Sequence, residues 1–185
     1  MKNQILESHP PQGDAWDNHL GHDVNAAARL HGQFRLRSGE IANEYFDKYR
    51  FEADPQLLRR VARRMLQLLP ESTEIIAGLE LGGVPIATAM SLASGLPVVF
   101  VRKTAKEYGT RQAIEGRQIA GRRIVLIEDV ITTGGAVGEA ARLVNESGGD
   151  CVAVVCAIWR GDGEPHIAAL PGIPILSAMT LDDLR

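Results

Sequence analysis

The chain has 185 residues, 45% of them hydrophobic, a mean hydropathy of −0.06 and a formal net charge of −3 at pH 7. These values suit one globular domain with enough chain for a sizeable core, and the acidic balance excludes a general nucleic-acid binder, which needs a basic surface. No apolar run reaches the length of a membrane span, and the polar stretch 1–13 lacks the apolar centre of a signal peptide, so a cytoplasmic protein is expected.

Residues 1–22 have no periodicity and read as an N-terminal arm, leaving 23–185 as a single domain. His9, His19 and His22 show no repeated ligand spacing and read as surface histidines rather than metal ligands. A short helix is predicted over 24–31. Segments 34–39 and 44–51 read as two short strands around a turn. Asp54-Pro55 starts a helix, with Asp as N-cap and Pro at the first helical position. Leu57, Val61, Ala62, Met65 and Leu69 keep helical spacing until Pro70 stops it. Arg59, Arg60, Arg63 and Arg64 fall on the other face, read as solvated or as a subunit contact.

From Ile75 onward strands and helices alternate. Strands are predicted over 75–81, 97–101, 124–127, 151–159 and 173–176. Helices are predicted over 84–94 and 136–147, and a polar loop over 104–116. This order means a doubly wound, mostly parallel sheet flanked by helices, with ligand at the C-terminal strand ends. Cys151 and Cys156, five residues apart on one strand, are expected on opposite faces. A disulfide between them is then sterically excluded, and both read as buried thiols of a reducing compartment.

The richest stretch is 124–137, Ile-Val-Leu-Ile-Glu-Asp-Val-Ile-Thr-Thr-Gly-Gly-Ala-Val. Its apolar run suits a buried parallel strand ending on Glu128 and Asp129. Thr132, Thr133, Gly134 and Gly135 then run into a helix start at Ala136. Backbone N–H groups at such a start attract phosphate, the threonines add donors, and glycine lets the backbone come close. The acids are placed to accept from ribose hydroxyls or to help hold a divalent cation.

This stretch closely resembles the 5-phosphoribosyl-1-pyrophosphate (PRPP) motif of type I phosphoribosyltransferases. The resemblance implies PRPP contacts from Glu128, Asp129, Val130, Ile131, Thr132, Thr133, Gly134, Gly135 and Ala136. Glu80-Leu81-Gly82-Gly83 resembles the pyrophosphate loop of that family. Other members carry lysine where Gly82 stands, so contact here falls to main-chain amides and the metal.

Arg102-Lys103, Lys106, Tyr108-Gly109-Thr110 and Glu115-Gly116 resemble the flexible loop of orotate phosphoribosyltransferases. In that family the loop closes over the partner subunit's site, which implies a homodimer with loop 102–116 reaching across. Lys103 and Lys106, with Asp129, take the catalytic places, and Arg102 and Tyr108 further PRPP contacts. Tyr108 stands where many members have histidine, and Arg111-Gln112 departs from the usual Gly-Lys.

Phe34-Arg35-Leu36-Arg37-Ser38-Gly39 and Tyr45-Phe46-Asp47-Lys48 resemble the orotate phosphoribosyltransferase hood. Arg37, Tyr45 and Phe46 take positions over the base, where a flat pyrimidine stacks on an aromatic ring. Arg160 takes the place of the arginine that meets orotate, with Thr132 also near the base, while Trp159 replaces the usual aspartate. A guanidinium suits a planar carboxylated pyrimidine.

The resemblance spans about 34–163. It implies the type I phosphoribosyltransferase fold, with a small hood (about 30–52 plus 173–185) on a core (about 54–172). It also implies an orotate phosphoribosyltransferase using Mg²⁺ held through PRPP and by Glu128 or Asp129, with PRPP and orotate as partners and neither nucleic acid nor membrane. The alternatives are a transferase for another base and a PRPP-sensing regulator without the chemistry.

Overall fold

The computed structural model describes residues 17–36, 38–103 and 113–185. α1 (Leu20–Ala28) leads directly into β1 (Arg29–Arg35), which pairs antiparallel with β2 (Ile41–Phe46). Next come α2 (Tyr49–Ala53), α3 (Pro55–Leu66), β3 (Ile75–Leu79), α4 (Gly83–Ser94), β4 (Val98–Val101) and β5 (Ile114–Glu115). The chain ends with β6 (Arg123–Ile131), α5 (Gly135–Glu146), β7 (Asp150–Trp159) and β8 (Ile175–Thr180).

The large sheet has the order β5-β4-β3-β6-β7-β8 and is parallel except at β5. The chain moves outward from β3 to β4, then returns to the other side of β3 for β6. Strand order therefore reverses between β3 and β6, and a crevice opens at their C-terminal ends. The expected doubly wound fold with a small N-terminal sheet is present.

Helices cover both faces of the sheet, which is why Ile124, Val125, Leu126 and Ile127 form an unbroken apolar run. One core cluster joins α1, α2, α3 and α4 to the sheet through Phe51, Met65 and Met90. The other packs Val137, Ala141 and Val144 of α5, with Ile167 and Leu170, on the opposite face. α3 begins as expected: Asp54 Oδ1 accepts from the N–H groups of Gln56 at 2.8 Å and Leu57 at 3.0 Å.

Several elements differ from the sequence expectation. The first helix runs 20–28 rather than 24–31, because Leu20, Val24 and Ala28 turn one apolar face to the core. Its entry is held by Arg60, which pairs with Asp17 at 2.6 Å and Asp23 at 2.8 Å. Residues 17–22 thus belong to the folded unit rather than to an arm, and Arg60 is anchored rather than solvated. The second hood strand stops at Phe46, and 49–53 is helical because Phe51 must reach the core beside α1. β6 runs through both acids to Ile131 instead of ending on them. The last strand is longer and later than predicted.

Segment 175–180, grouped above with the hood, is the edge strand of the main sheet. The cysteines also depart from expectation. A register shift on β7 opposite Ile124 and Val125 puts Cys151 and Cys156 in the same core cluster. Both are free thiols, and burial pushes their pKa values up, to about 11 and about 12. Separation along the strand, roughly 17 Å at the usual rise, is what keeps them apart.

Candidate active site

The crevice at the switch point is built first from main chain. β6 ends at Ile131, and Thr132 and Thr133 stand exposed on the turn before α5. Gly134 is the N-cap, with φ 75° and no side-chain cap. A side chain there would meet Ile167 as well as strain the backbone. The first turn of α5 carries no acidic residue. Its leading N–H groups are therefore open to an anion, and the helix dipole favours one. Ile131 offers no side chain to this crevice. Its side chain is in the core, and its carbonyl accepts from Arg160 N–H at 2.8 Å.

Behind this turn lies a buried charge cluster. Asp129 is 0% exposed; its Oδ1 accepts from Val130 N–H at 2.5 Å, and Lys48 Nζ lies 2.5 Å from its Oδ2. Oδ2 receives no well-aligned hydrogen bond, so the contact is that of an ion pair. Glu52, one helical turn after Lys48, is buried against the same carboxylate, with its Oε1 lacking a hydrogen-bond partner.

Burial pushes the Glu52 and Glu128 carboxyls up, each to about 9, and the Asp129 charge adds to the push. Burial acts on Asp129 in the same direction, but hydrogen bonding with Glu128 and Lys48 outweighs it and holds this carboxyl below its ordinary range. Desolvation opposes the Lys48 charge, yet Asp129 more than offsets it and the ammonium is reinforced.

The Glu80-Leu81-Gly82-Gly83 turn approaches from β3. A Cβ on Gly82 would lie 1.6 Å from Asp129 Oδ2, so the absence of a side chain here is a packing requirement of the buried acid. Leu81 is 58% exposed. Glu80 accepts from the backbone N–H of Lys103 at 3.1 Å, which ties this turn to the end of β4. A cleft of about 310 Å³ is bordered by Lys48, Glu80, Arg102, Lys103, Glu128 and Ala136. The structure thus brings Glu128, the start of α5 at Ala136, the Glu80-Leu81 turn and two loop cations around one space, with Asp129 buried behind them. Lys106 and Tyr108 lie outside the described residues, as does Arg37 of the hood.

A second cleft, of about 320 Å³, opens between the hood and the C-terminal residues, and Arg29, Tyr45, Phe46, Arg160 and Arg185 border it. The Arg160 guanidinium lies 5.7 Å from the Phe46 ring centroid, and the Phe34 and Tyr45 rings are 5.6 Å apart. Trp159 points the other way: it is 4% exposed, belongs to the α5-side core and donates from Nε1 to Gly163 O at 3.1 Å. The change from aspartate at this position therefore shapes the loop after β7 rather than the base cleft.

Sequence reasoning missed Lys48, Glu52, Arg29 and the C-terminal residues. Reading 44–51 as a strand hid the Lys48–Glu52 spacing, which is the i, i+4 spacing of one helix face. Nothing local in the sequence marks Arg29 or Arg185.

The sequence matches the phosphoribosyl transferase domain family over residues 49–171. It is 55% identical over 172 residues to the orotate phosphoribosyltransferase of a Nocardioides species, covering 91% of this chain and 96% of that one. The orotate phosphoribosyltransferase of Methanopyrus kandleri is 38% identical over 162 residues, with 88% and 87% covered. Among solved structures, Mycobacterium tuberculosis orotate phosphoribosyltransferase in complex with PRPP superposes with a TM-score of 0.75 at 28% identity, covering 90% of this chain and 97% of that one. Likeness of that degree along nearly the whole of both chains decides the assignment: the chain belongs to the orotate phosphoribosyltransferase family.

Proposed function

We infer that the chain is a pentosyl-transferring enzyme of pyrimidine synthesis, which moves the phosphoribosyl group of PRPP to orotate and releases pyrophosphate and orotidine 5′-monophosphate. The observation that carries the site assignment is the uncapped N-terminus of α5, directly beyond the two acids at the sheet's switch point.

In this reading the 5′-phosphate sits on the leading amides of α5, with the Thr132 and Thr133 hydroxyls as further donors. Glu128 and Asp129 hold the ribose hydroxyls. The diphosphate lies across the 80–83 turn toward Arg102 and Lys103, with Lys106 completing the cation set. Orotate lies in the hood cleft. Arg160 pairs with its carboxylate, and Tyr45 and Phe46 flank the ring.

The C1–O bond breaks with its electron pair leaving on pyrophosphate, positive charge builds on the ribose ring, and the orotate ring nitrogen forms the new bond as its N–H proton passes to the pyrophosphate or to water. Catalysis is then electrostatic and positional. Among the described residues no three His, Cys, Asp or Glu side chains gather to hold a metal. Asp129 is already paired with Lys48 and burial disfavours the Glu128 charge, so Mg²⁺ fits as a guest of the diphosphate rather than of a protein cage. It would supply positive charge to the departing group. The same reading takes a homodimer, with loop 102–116 serving the partner's site, and a cytoplasmic location. Among the described residues no helix is long and apolar enough to cross a membrane.

Pyrophosphate release from PRPP and Mg²⁺ tests the reading, run in parallel with orotate, uracil, hypoxanthine and no base. Release with orotate alone is expected. Release with another base instead would overturn the role of Arg160, and PRPP binding without release would point to a regulator.

A further inference from the structure

We propose that Lys48 is a positioning residue of the donor site, which pins the Asp129 carboxylate in the orientation that receives the ribose; this rests on the function proposed above. Asp129 is gripped at both oxygens. Oδ1 is tied to the Val130 N–H and Oδ2 to the Lys48 ammonium, each at 2.5 Å. On its far side the carboxylate fills the space that a Gly82 side chain would take. Removing Lys48 leaves a buried anion with no counter-charge at Oδ2, beside the carboxyls of Glu52 and Glu128 and facing a substrate that is itself anionic. Such a group must swing away or take up a proton, and either change spoils the acceptor.

Lys48 is also placed to join the two clefts. It borders the donor cleft and lies two residues after Phe46, the ring against which Arg160 stands in the base cleft. The Asp47 N–H between them donates to Ala28 O at 2.8 Å, which fixes this corner to the end of α1. The ammonium is 5.4 Å from the Tyr49 ring centroid, a second contact that limits its reach.

The test compares wild type, Lys48→Met and Lys48→Arg. PRPP affinity is measured by calorimetry, kcat and both KM values by turnover, and folding by thermal melt. Lys48→Met is expected to weaken PRPP binding by about tenfold or more and to lower kcat, as loss of a charged contact does. The orotate KM should stay within about threefold, since that contact is not made to the base. Lys48→Arg should recover most of the loss, which a purely structural role would not require. Lys48→Gln, neutral but still a donor, stands in if the Met variant does not fold.

Wild-type PRPP affinity and kcat in a folded neutral variant would overturn the proposal. Equal losses in the Arg and neutral variants that follow only the melting temperature would do the same. Wild-type protein that binds PRPP without turning over orotate would break the functional reading alone, and the calorimetric comparison would still judge Lys48. Wild-type protein that does not bind PRPP would overturn both.

Discussion

The donor cleft and the base cleft are made of different materials. The donor cleft is formed by the ends of β3 and β6 and the start of α5, and behind it the buried Asp129 is tied to Lys48. The base cleft is formed by side chains on a two-stranded hood and at strand ends, with Tyr45 46% exposed and Arg160 at the surface. In the proposed reading, phosphate and ribose recognition is thus a consequence of topology: the switch point and helix terminus exist wherever this strand order does. Base recognition in that reading rests on a few exposed side chains that can be changed at little cost to the core.

Breaking the donor side should have the largest effect. Asp129→Asn is expected to lower kcat/KM for PRPP by about 10²–10³-fold, the size of losing one preorganised electrostatic partner. Pyrophosphate release at limiting PRPP measures it, and a loss under about tenfold would move the ribose contact elsewhere. The base side should yield separately. Arg160→Ala is expected to raise the orotate KM by about 10–100-fold, as loss of a hydrogen bond between charged groups does, with the PRPP KM unchanged. If both KM values rise together in steady-state assays, the two clefts do not act as separate sites.

Glu52 sharpens the contrast through stability. Its pKa, raised from 4.5 to about 9 chiefly by burial, means that the unfolded chain gives up a proton which the native state keeps. The native advantage is complete below pH 4.5 and lost as pH rises toward 9, by about 1.4 kcal/mol per unit for a single such group. Glu52→Gln, neutral at every pH, should flatten this decline. Urea unfolding at pH 5.5 and pH 8 measures it, and an undiminished fall in stability would contradict the assignment. The smallest effect belongs to Asp54→Ala, far from either chemistry: about 1 kcal/mol of stability lost with the cap and no change in either KM. A shift in urea midpoint without a change in slope would report it.

The parts of this protein that were legible in sequence are those whose physics is local. The apolar run of β6, its acids and the Thr-Thr-Gly-Gly turn lie consecutively in the chain, so one window contains strand, acceptors and phosphate turn. The same is true of Asp54-Pro55 and the helix it starts. Arg160 follows directly on β7, and its guanidinium faces an aromatic ring of the hood, that of Phe46. What failed was decided at a distance. The segment 44–51 read as a strand, but the need to bury Phe51 beside α1 turned 49–53 into a helix.

Sequence alone therefore determined the alternation of the main strands and helices from Ile75 onward, the Thr-Thr-Gly-Gly turn and the family, because hydrophobic period, capping and turn chemistry act over a few residues. Only the tertiary structure decided that β8 joins the main sheet, that Cys151 and Cys156 share a face, and that Trp159 is buried in the α5-side core. It also decided the partner of Asp129, which is a lysine 81 positions earlier in the chain. A buried carboxylate demands a counter-charge, but the demand does not specify which residue the fold will bring to it.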